Sequence, residues 1–427
     1  MDWLHNNKLE SIIFEKIIPD KNNNWINLSE NDFDILLPLV NKENIKEKIF
    51  GFYAIGVSTN RDEWVFDFGE TGVINKIKYF IDSYNVKLRL KSIDFDDENA
   101  KDIKWSDALK NKFAKFIKLK FDKSLIRTFL YRPYFKLVYY SDKNLSDRLT
   151  CNHYEMFGID LDLDNYVIGF SGIGSSKPFT VLASKSLCGV DFLEKTQCLP
   201  LYRHSSDGKR IINITDWGLE QFHIHYRDSK IKKEDIFNYI YAVFHNPLYI
   251  KKYETNLRRG FPRLPFYKDF WKWAKWGKEL MEIHIQYESQ MSYPLEEHNY
   301  TIKAEAKRQK ELFINVAEPE SMYSRQPKVK VKLIANKEKG IIEIDELTFL
   351  TGVPKEAWDY KLGNRSALEW VLDQYKEKKP KDPTIAEKFN TYRFADHKVE
   401  VIDLLKRVCT VSVETVRIIK EMEQFSV

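Results

Sequence analysis

Hydrophobic positions change period several times along the chain. Leu9, Ile12, Ile13, Ile17 and Ile18 fall at helical spacing within residues 1–18, and Pro19 closes that run. Asn22-Asn23-Asn24 reads as loop. From Ile49 to Phe68 the pattern is β. Phe50, Phe52, Ile55 and Val57 form one apolar run, and Trp64, Val65, Phe66 and Phe68 form another. The polar tip Ser58-Thr59-Asn60-Arg61-Asp62 between them predicts a hairpin or a strand–loop–strand unit. Residues 70–84 and 106–120 return to helical spacing, the second on a Lys-rich segment.

Residues 126–230 predict mostly short strands, among them 135–140, 166–170, 179–183 and 199–203. Turn residues separate them at Asp142, Asn144, 172–176 and 205–208. From Thr215 the period is helical, with 233–253 and 267–287 as the main helices. Residues 288–326 are polar and read as a linker with some helix. Residues 328–349 predict a β-hairpin turning at 336–340, and 355–376 and 397–424 predict helices around a break at Pro380 and Pro383. The whole is an α+β fold. A connector occupies 1–44, a β-rich unit 45–212, a helical unit 213–326, and a small hairpin-plus-helix unit 327–427.

Composition narrows the class. Of 427 residues, 43% are hydrophobic and 31% charged, with only 16 Gly and 14 Pro, which excludes fibrous and low-complexity chains. No run of 18 or more apolar residues exists, so no membrane span is expected. The N-terminus lacks the basic and apolar regions of a signal peptide. Four cysteines without C-x2-C spacing offer neither a zinc ribbon nor a redox motif, and a reducing cytoplasm is the expected compartment. Net charge is +5 but unevenly spread: residues 1–100 carry about −6, 101–150 about +8, and 245–280 about +6. Two basic, aromatic-rich stretches suit a polyanionic partner.

Motifs for catalysis are absent. Asn246-Pro247-Leu248-Tyr249 is one letter from the Asn-Pro-Pro-Tyr loop with which amino-methyltransferases hold a flipped adenine. The residues before it have helical periodicity, so Pro247 reads as a helix break or the first turn of the next helix. The close glycines of 169–174 lack the following helix and the carboxylate of a nucleotide loop and read as a turn. His223 and His225 are two apart on a helical pattern, where they do not share a face, and no third metal ligand is evident. The basic–aromatic clusters are more informative. Tyr131-Arg132-Pro133-Tyr134-Phe135-Lys136 sets cations among flat rings, as does the stretch from Arg258-Arg259 through Arg263 to Tyr267. Such groups can hold phosphates or read bases, or the rings can be core with cations reaching out of it.

Seven runs, in colinear order over nearly the whole chain, resemble the C-terminal part of large type ISP restriction-modification enzymes. They are Gly56-Val57-Ser58-Thr59-Asn60-Arg61-Asp62-Glu63-Trp64-Val65, Tyr131-Arg132-Pro133-Tyr134, Gly174-Ser175-Ser176-Lys177-Pro178-Phe179, Asn213-Ile214-Thr215-Asp216-Trp217, residues 235–253, Phe261-Pro262-Arg263-Leu264-Pro265-Phe266-Tyr267, and Leu362-Gly363-Asn364-Arg365-Ser366-Ala367-Leu368-Glu369-Trp370. Trp3-Leu4 and Ile17-Ile18-Pro19-Asp20 look like the end of a connection from a methyltransferase core.

The resemblance implies a non-catalytic target-recognition region. It would read duplex DNA for an adenine-N6 methyltransferase core, in the same polypeptide or a separate subunit. S-adenosylmethionine would bind that core and no cofactor would bind this chain. The residues expected at DNA are Thr59, Asn60 and Arg61 on the polar tip, Tyr131, Arg132, Tyr134 and Lys136, Lys177, and Arg258, Arg259 and Arg263. The competing expectation is a protein-binding scaffold of a defence system whose aromatic content is interface.

Overall fold

The computed structural model describes residues 31–41, 44, 46–90, 95, 101–205, 207–300 and 329–426, and before them residues 8, 13, 16–19 and 25. The helix expected over 1–18, apart from single positions, and the loop at 22–24 lie outside the described residues, as does 301–328. Among the described residues no helix is long and apolar enough to cross a membrane.

At the centre lies a four-stranded antiparallel sheet ordered Ala54–Ile55, Gln197–Pro200, Val167–Phe170, Val181–Ser184. Its strands are apolar on both faces, so side chains alternate between two cores. Val167, Leu182 and Cys198 face one cluster, and Ile168, Phe170, Val181, Ala183 and Leu199 face the other. The second cluster is completed by the helices Lys233–His245 and Phe270–Ile285. Lys233–His245 is buried almost all round, which its run Ile236-Phe237-Asn238-Tyr239-Ile240-Tyr241-Ala242-Val243-Phe244 anticipates. Asn246 ends it and caps the next helix, Pro247–Lys252: its side chain accepts from Leu248 N–H at 3.0 Å, with Pro247 in the first turn.

The first cluster joins a three-stranded sheet, ordered Phe66–Asp67, Phe135–Tyr140, Ile126–Arg132, to the helix Glu70–Leu90 and to the C-terminal part of the chain. That part carries a four-stranded antiparallel sheet ordered Glu296–Asn299, Thr348–Thr351, Ile341–Asp345, Val331–Asn336. The 29-residue helix Lys398–Ser426 packs Val401 to Val416 into the first core and Ile418 and Met422 into the second. The boundary expected at 326 lies outside the described residues.

Several elements differ from the sequence expectation. No hairpin forms over 49–68. Ala54–Ile55 pairs with Gln197 and Cys198, whereas Phe66–Asp67 pairs with Val138 and Tyr139 in another sheet, and Asp62–Val65 between them is a helical turn. Alternation marks a strand but does not name its partner. The helix expected over 106–120 ends at Ala114. Beyond it the chain is extended because Asn85 captures it, donating to Leu119 O at 2.8 Å and accepting from Leu119 N–H at 3.1 Å. Glu296–Asn299, in the expected linker, is an edge strand. The 355–376 segment is two helices, Lys355–Asp359 and Ala367–Gln374, around a small hairpin.

Two predictions follow from this packing. Gly277 lets the two central helices touch: a Cβ there would lie 1.8 Å from Asn238 O. Gly277→Ala should lower stability by about 1–3 kcal/mol or more, seen as a lower thermal midpoint. Acid should also destabilise the fold through buried imidazoles. His153 Nδ1 accepts from Thr150 N–H at 3.0 Å and Nε2 donates to Ile55 O at 2.9 Å, an arrangement only the neutral ring satisfies. Burial pushes His153 and His245 down to about 4, and His284 well below its ordinary value of 6.5. The unfolded chain thus binds more protons between these limits. Stability is complete above pH 6.5 and should fall as pH drops toward 4, by on the order of 3 kcal/mol per imidazole for His153 and His245. Denaturant titrations at pH 7, 5.5 and 4.5 measure it.

Candidate nucleic-acid interface

The stretch 58–66 turns inward, which corrects the expectation of a DNA-facing tip for two of its residues. Thr59 is 2% exposed and Arg61 is 1% exposed. Arg61 Nη1 donates to Leu145 O at 2.6 Å, Nη2 donates to Ser106 Oγ at 2.5 Å, and the Asp147 carboxylate stands at 3.5 Å. Burial lowers the guanidinium from its usual range, and Asp147 opposes that. These partners lie 45 to 86 positions away in sequence, so the local pattern showed only a polar residue between apolar runs. Thr59 bonds Asp62 and accepts from Arg61 N–H at 3.1 Å. Asn60 is exposed and donates to Asp147 Oδ2 at 2.7 Å.

The residues after Arg61 tie three distant segments together. Asp62 accepts from the Tyr131 hydroxyl at 2.9 Å. Glu63 accepts from the Lys381 and Asp382 N–H groups at 2.9 and 2.8 Å. Trp64 Nε1 donates to Asp382 at 2.7 Å, and Asp382 also caps the helix Pro383–Lys388. The Tyr131–Arg132 end of one hairpin is thereby fixed beside the Lys-rich loop 376–381.

Arg132 sits in the walls of three depressions of ≈ 620, ≈ 530 and ≈ 300 Å³. Its guanidinium lies 4.2 Å from the Tyr131 ring centroid and donates to Tyr131 O at 2.8 Å. Burial and Asp62 raise the Tyr131 hydroxyl pKa, so that ring stays a neutral platform. Lys177 lines the smallest depression, 5.9 Å from the Trp370 ring centroid. Lys104 and Lys381 line the largest, and Arg365, Lys376, Lys378 and Lys379 the third. Asp373 holds Arg365 and Lys378 at 3.0 and 3.1 Å. Among the described residues Lys104, Lys376, Lys379 and Lys381 carry no ion pair.

The remaining expected residues stand elsewhere. Tyr134 is core, 1% exposed, with its hydroxyl 3.0 Å from that of Tyr360, which corrects its expected place at DNA. Pro133, buried beside it, turns the chain inward. Lys136 pairs with Glu288 and lies 5.2 Å from the Tyr287 ring centroid, outside the three depressions. Arg263 donates to Asp34 O at 2.9 Å and Leu36 O at 3.1 Å, holding the 32–38 segment. Arg258 pairs with Glu254 at 2.8 Å, and with Arg259 lines a separate hollow. His223 Nε2 donates to Ile231 O at 2.9 Å and His225 stacks on Phe266, and among the described residues no group of three or more His, Cys, Asp or Glu could hold a metal ion. Sequence reasoning missed Lys104, Asp191, Arg365 and the 376–381 loop. The run Lys376-Glu377-Lys378-Lys379-Pro380-Lys381 was a legible signal, being basic, proline-broken and too polar to be core.

The described residues thus form a mixed sheet-and-helix body in which three adjoining depressions, lined by cations and carboxylates, meet at Arg132. The family model of the Type ISP C-terminal specificity domain matches residues 48–404, and the chain belongs to that family. Among solved structures it is similar to the DrdV–DNA complex determined by cryoEM, with 42% identity and a TM-score of 0.84 over 98% of this chain and 41% of that one. It is also similar to a nuclease-deletion mutant of the Type ISP restriction-modification enzyme LlaGI in complex with a DNA substrate mimic, at 27% identity and TM-score 0.76 over 99% and 37% of the two chains. The ATP-dependent Type ISP enzyme LlaBIII bound to DNA matches at 25% identity and TM-score 0.77, over 95% and 25%. The chain thus spans less than half the length of each of these proteins. No curated protein matches it.

Arg61 is assigned a structural role by this geometry. Arg61→Ala leaves Asp147 and Leu145 O without their cation and should cost about 3–5 kcal/mol of stability. Chemical denaturation measures that loss.

Proposed function

We propose that this chain recognises a duplex DNA sequence for a type ISP restriction-modification system and presents the site to an adenine-N6 methyltransferase core that lies outside it. The observation that carries the reading is the convergence on Arg132. Cations from residue 104, from the 126–140 hairpin, from the 177 turn and from the 365–381 region line one cleft, although they are spread over 278 positions. Local folding does not require such a gathering, since unpaired like charges repel. A polyanion in the cleft offsets that repulsion. Membership of the specificity-domain family and similarity to enzymes solved with DNA support DNA as that polyanion.

The division of labour follows from chemistry. Lys104, Lys379 and Lys381 are flexible point charges suited to phosphates, which fix register without carrying sequence information. Arg132 is different. Its planar fork is pre-positioned on Tyr131 and anchored through Nη1, which leaves the other donors of the guanidinium for a guanine O6/N7 pair. A recognition surface of this kind also holds the duplex while an adenine rotates into the methyltransferase, a cost of a few kcal/mol. S-adenosylmethionine belongs to that core.

The test is binding of the full chain to duplex DNA at 50 and 200 mM salt. With about six phosphates neutralised, affinity should fall about 10³-fold over that interval. Arg132→Ala should then reduce discrimination at one base pair by about 1–3 kcal/mol while the unfolding free energy stays unchanged. A flat salt response would favour a protein-binding scaffold instead.

A further inference from the structure

The acids of the cleft single out one residue. Asp62, Glu63, Asp373 and Asp382 are engaged as described above, Asp67 pairs with Lys76 at 2.8 Å, and Glu194 accepts from Ser175 and Ser176 at 2.7 and 2.9 Å. Asp191, in the wall of both the ≈ 620 and ≈ 300 Å³ depressions beside Arg132, is exposed and has no hydrogen bond or ion pair among the described residues.

Its backbone is held firmly. Val190 N–H donates to Val57 O at 2.9 Å, Phe192 N–H to Gly189 O at 3.0 Å, and Thr196 N–H to Val190 O at 2.8 Å. Phe192 is fully buried, so the loop is pinned on the core side of Asp191. The carboxylate therefore projects from a rigid support, the condition for a precise contact.

A free carboxylate in a cleft built for a polyanion repels phosphate and weakens general DNA binding. The partner that compensates must be a neutral hydrogen-bond donor. On base edges in the major groove, donors are the exocyclic amines of cytosine N4 and adenine N6. Adenine sets its amine beside the N7 acceptor, which a carboxylate faces unfavourably and an amide suits. Cytosine has no acceptor on that edge. We propose that Asp191 is a specificity-determining residue that accepts a hydrogen bond from the N4 amine of a cytosine in the recognised site. This rests on the DNA-recognition reading above.

The experiment selects bound sequences from a randomised duplex library with the wild-type chain, Asp191→Ala and Asp191→Asn. The expected result is one position where wild type prefers cytosine by roughly 10- to 100-fold and both variants lose that preference. Replacing that cytosine by 2-pyrimidinone, which lacks the N4 amine, should weaken wild type by a similar factor and leave Asp191→Ala unaffected. Because the side chain is exposed and unbonded, the variants should unfold at the wild-type midpoint. Selection of the same sequence by Asp191→Ala overturns the inference and leaves DNA recognition standing. Equal binding of 2-pyrimidinone and cytosine by wild type also overturns it, and shows that Asp191 acts only on Arg132. A wild-type chain that selects no sequence overturns both.

Discussion

The buried guanidinium of Arg61 is the constraint around which the cleft is built. A charge that is 1% exposed must find partners within the protein, and it finds them in Leu145 O, Ser106 and Asp147. That requirement draws 58–66 inward and sets the direction in which Asp62, Glu63 and Trp64 leave the chain. Each then holds a different segment: Asp62 the Tyr131 end of a hairpin, Glu63 the backbone at 381–382, Trp64 the cap at Asp382. With Arg61 in place, a hairpin of the β-rich part and a loop from near the C-terminus share one wall. The same geometry makes the polar run a clamp beneath the cleft.

Rigidity beneath the cleft comes from the shared cores. The central sheet buries both faces, and the helix Lys398–Ser426 belongs to both clusters. His284 links two parts directly, with Nε2 2.9 Å from Thr415 Oγ1 and Nδ1 2.6 Å from the Tyr241 hydroxyl. Parts that share a core do not move independently, so the segments that carry the cations around Arg132 keep their relative positions.

Acids and cations in the walls have different roles for a physical reason. Carboxylates such as Glu63 and Asp382 accept from backbone and indole N–H groups and so organise loops. Lys104, Lys379 and Lys381 have no such partners among the described residues and keep their charge available.

Much of this was legible in one dimension. Helical and strand periods located Glu70–Leu90, Phe135–Tyr140, Lys233–His245, Phe270–Ile285 and Lys398–Ser426. Asn246 to Tyr249 read correctly as a helix break, because capping and proline geometry are local properties. The seven colinear runs pointed to the specificity-domain family. Arg132, from its aromatic neighbours, and Lys177, from its place after the close glycines, were expected at DNA, and both stand in the walls of the depressions. What tertiary structure alone decided was which polar residues face solvent and which strands pair. Arg61 and Tyr134 looked exposed because their partners, Leu145 and Tyr360, are 84 and 226 positions away. Asp191 and the 376–381 loop looked incidental for the same reason. Burial and pairing are properties of neighbours in space, and the sequence records only neighbours along the chain.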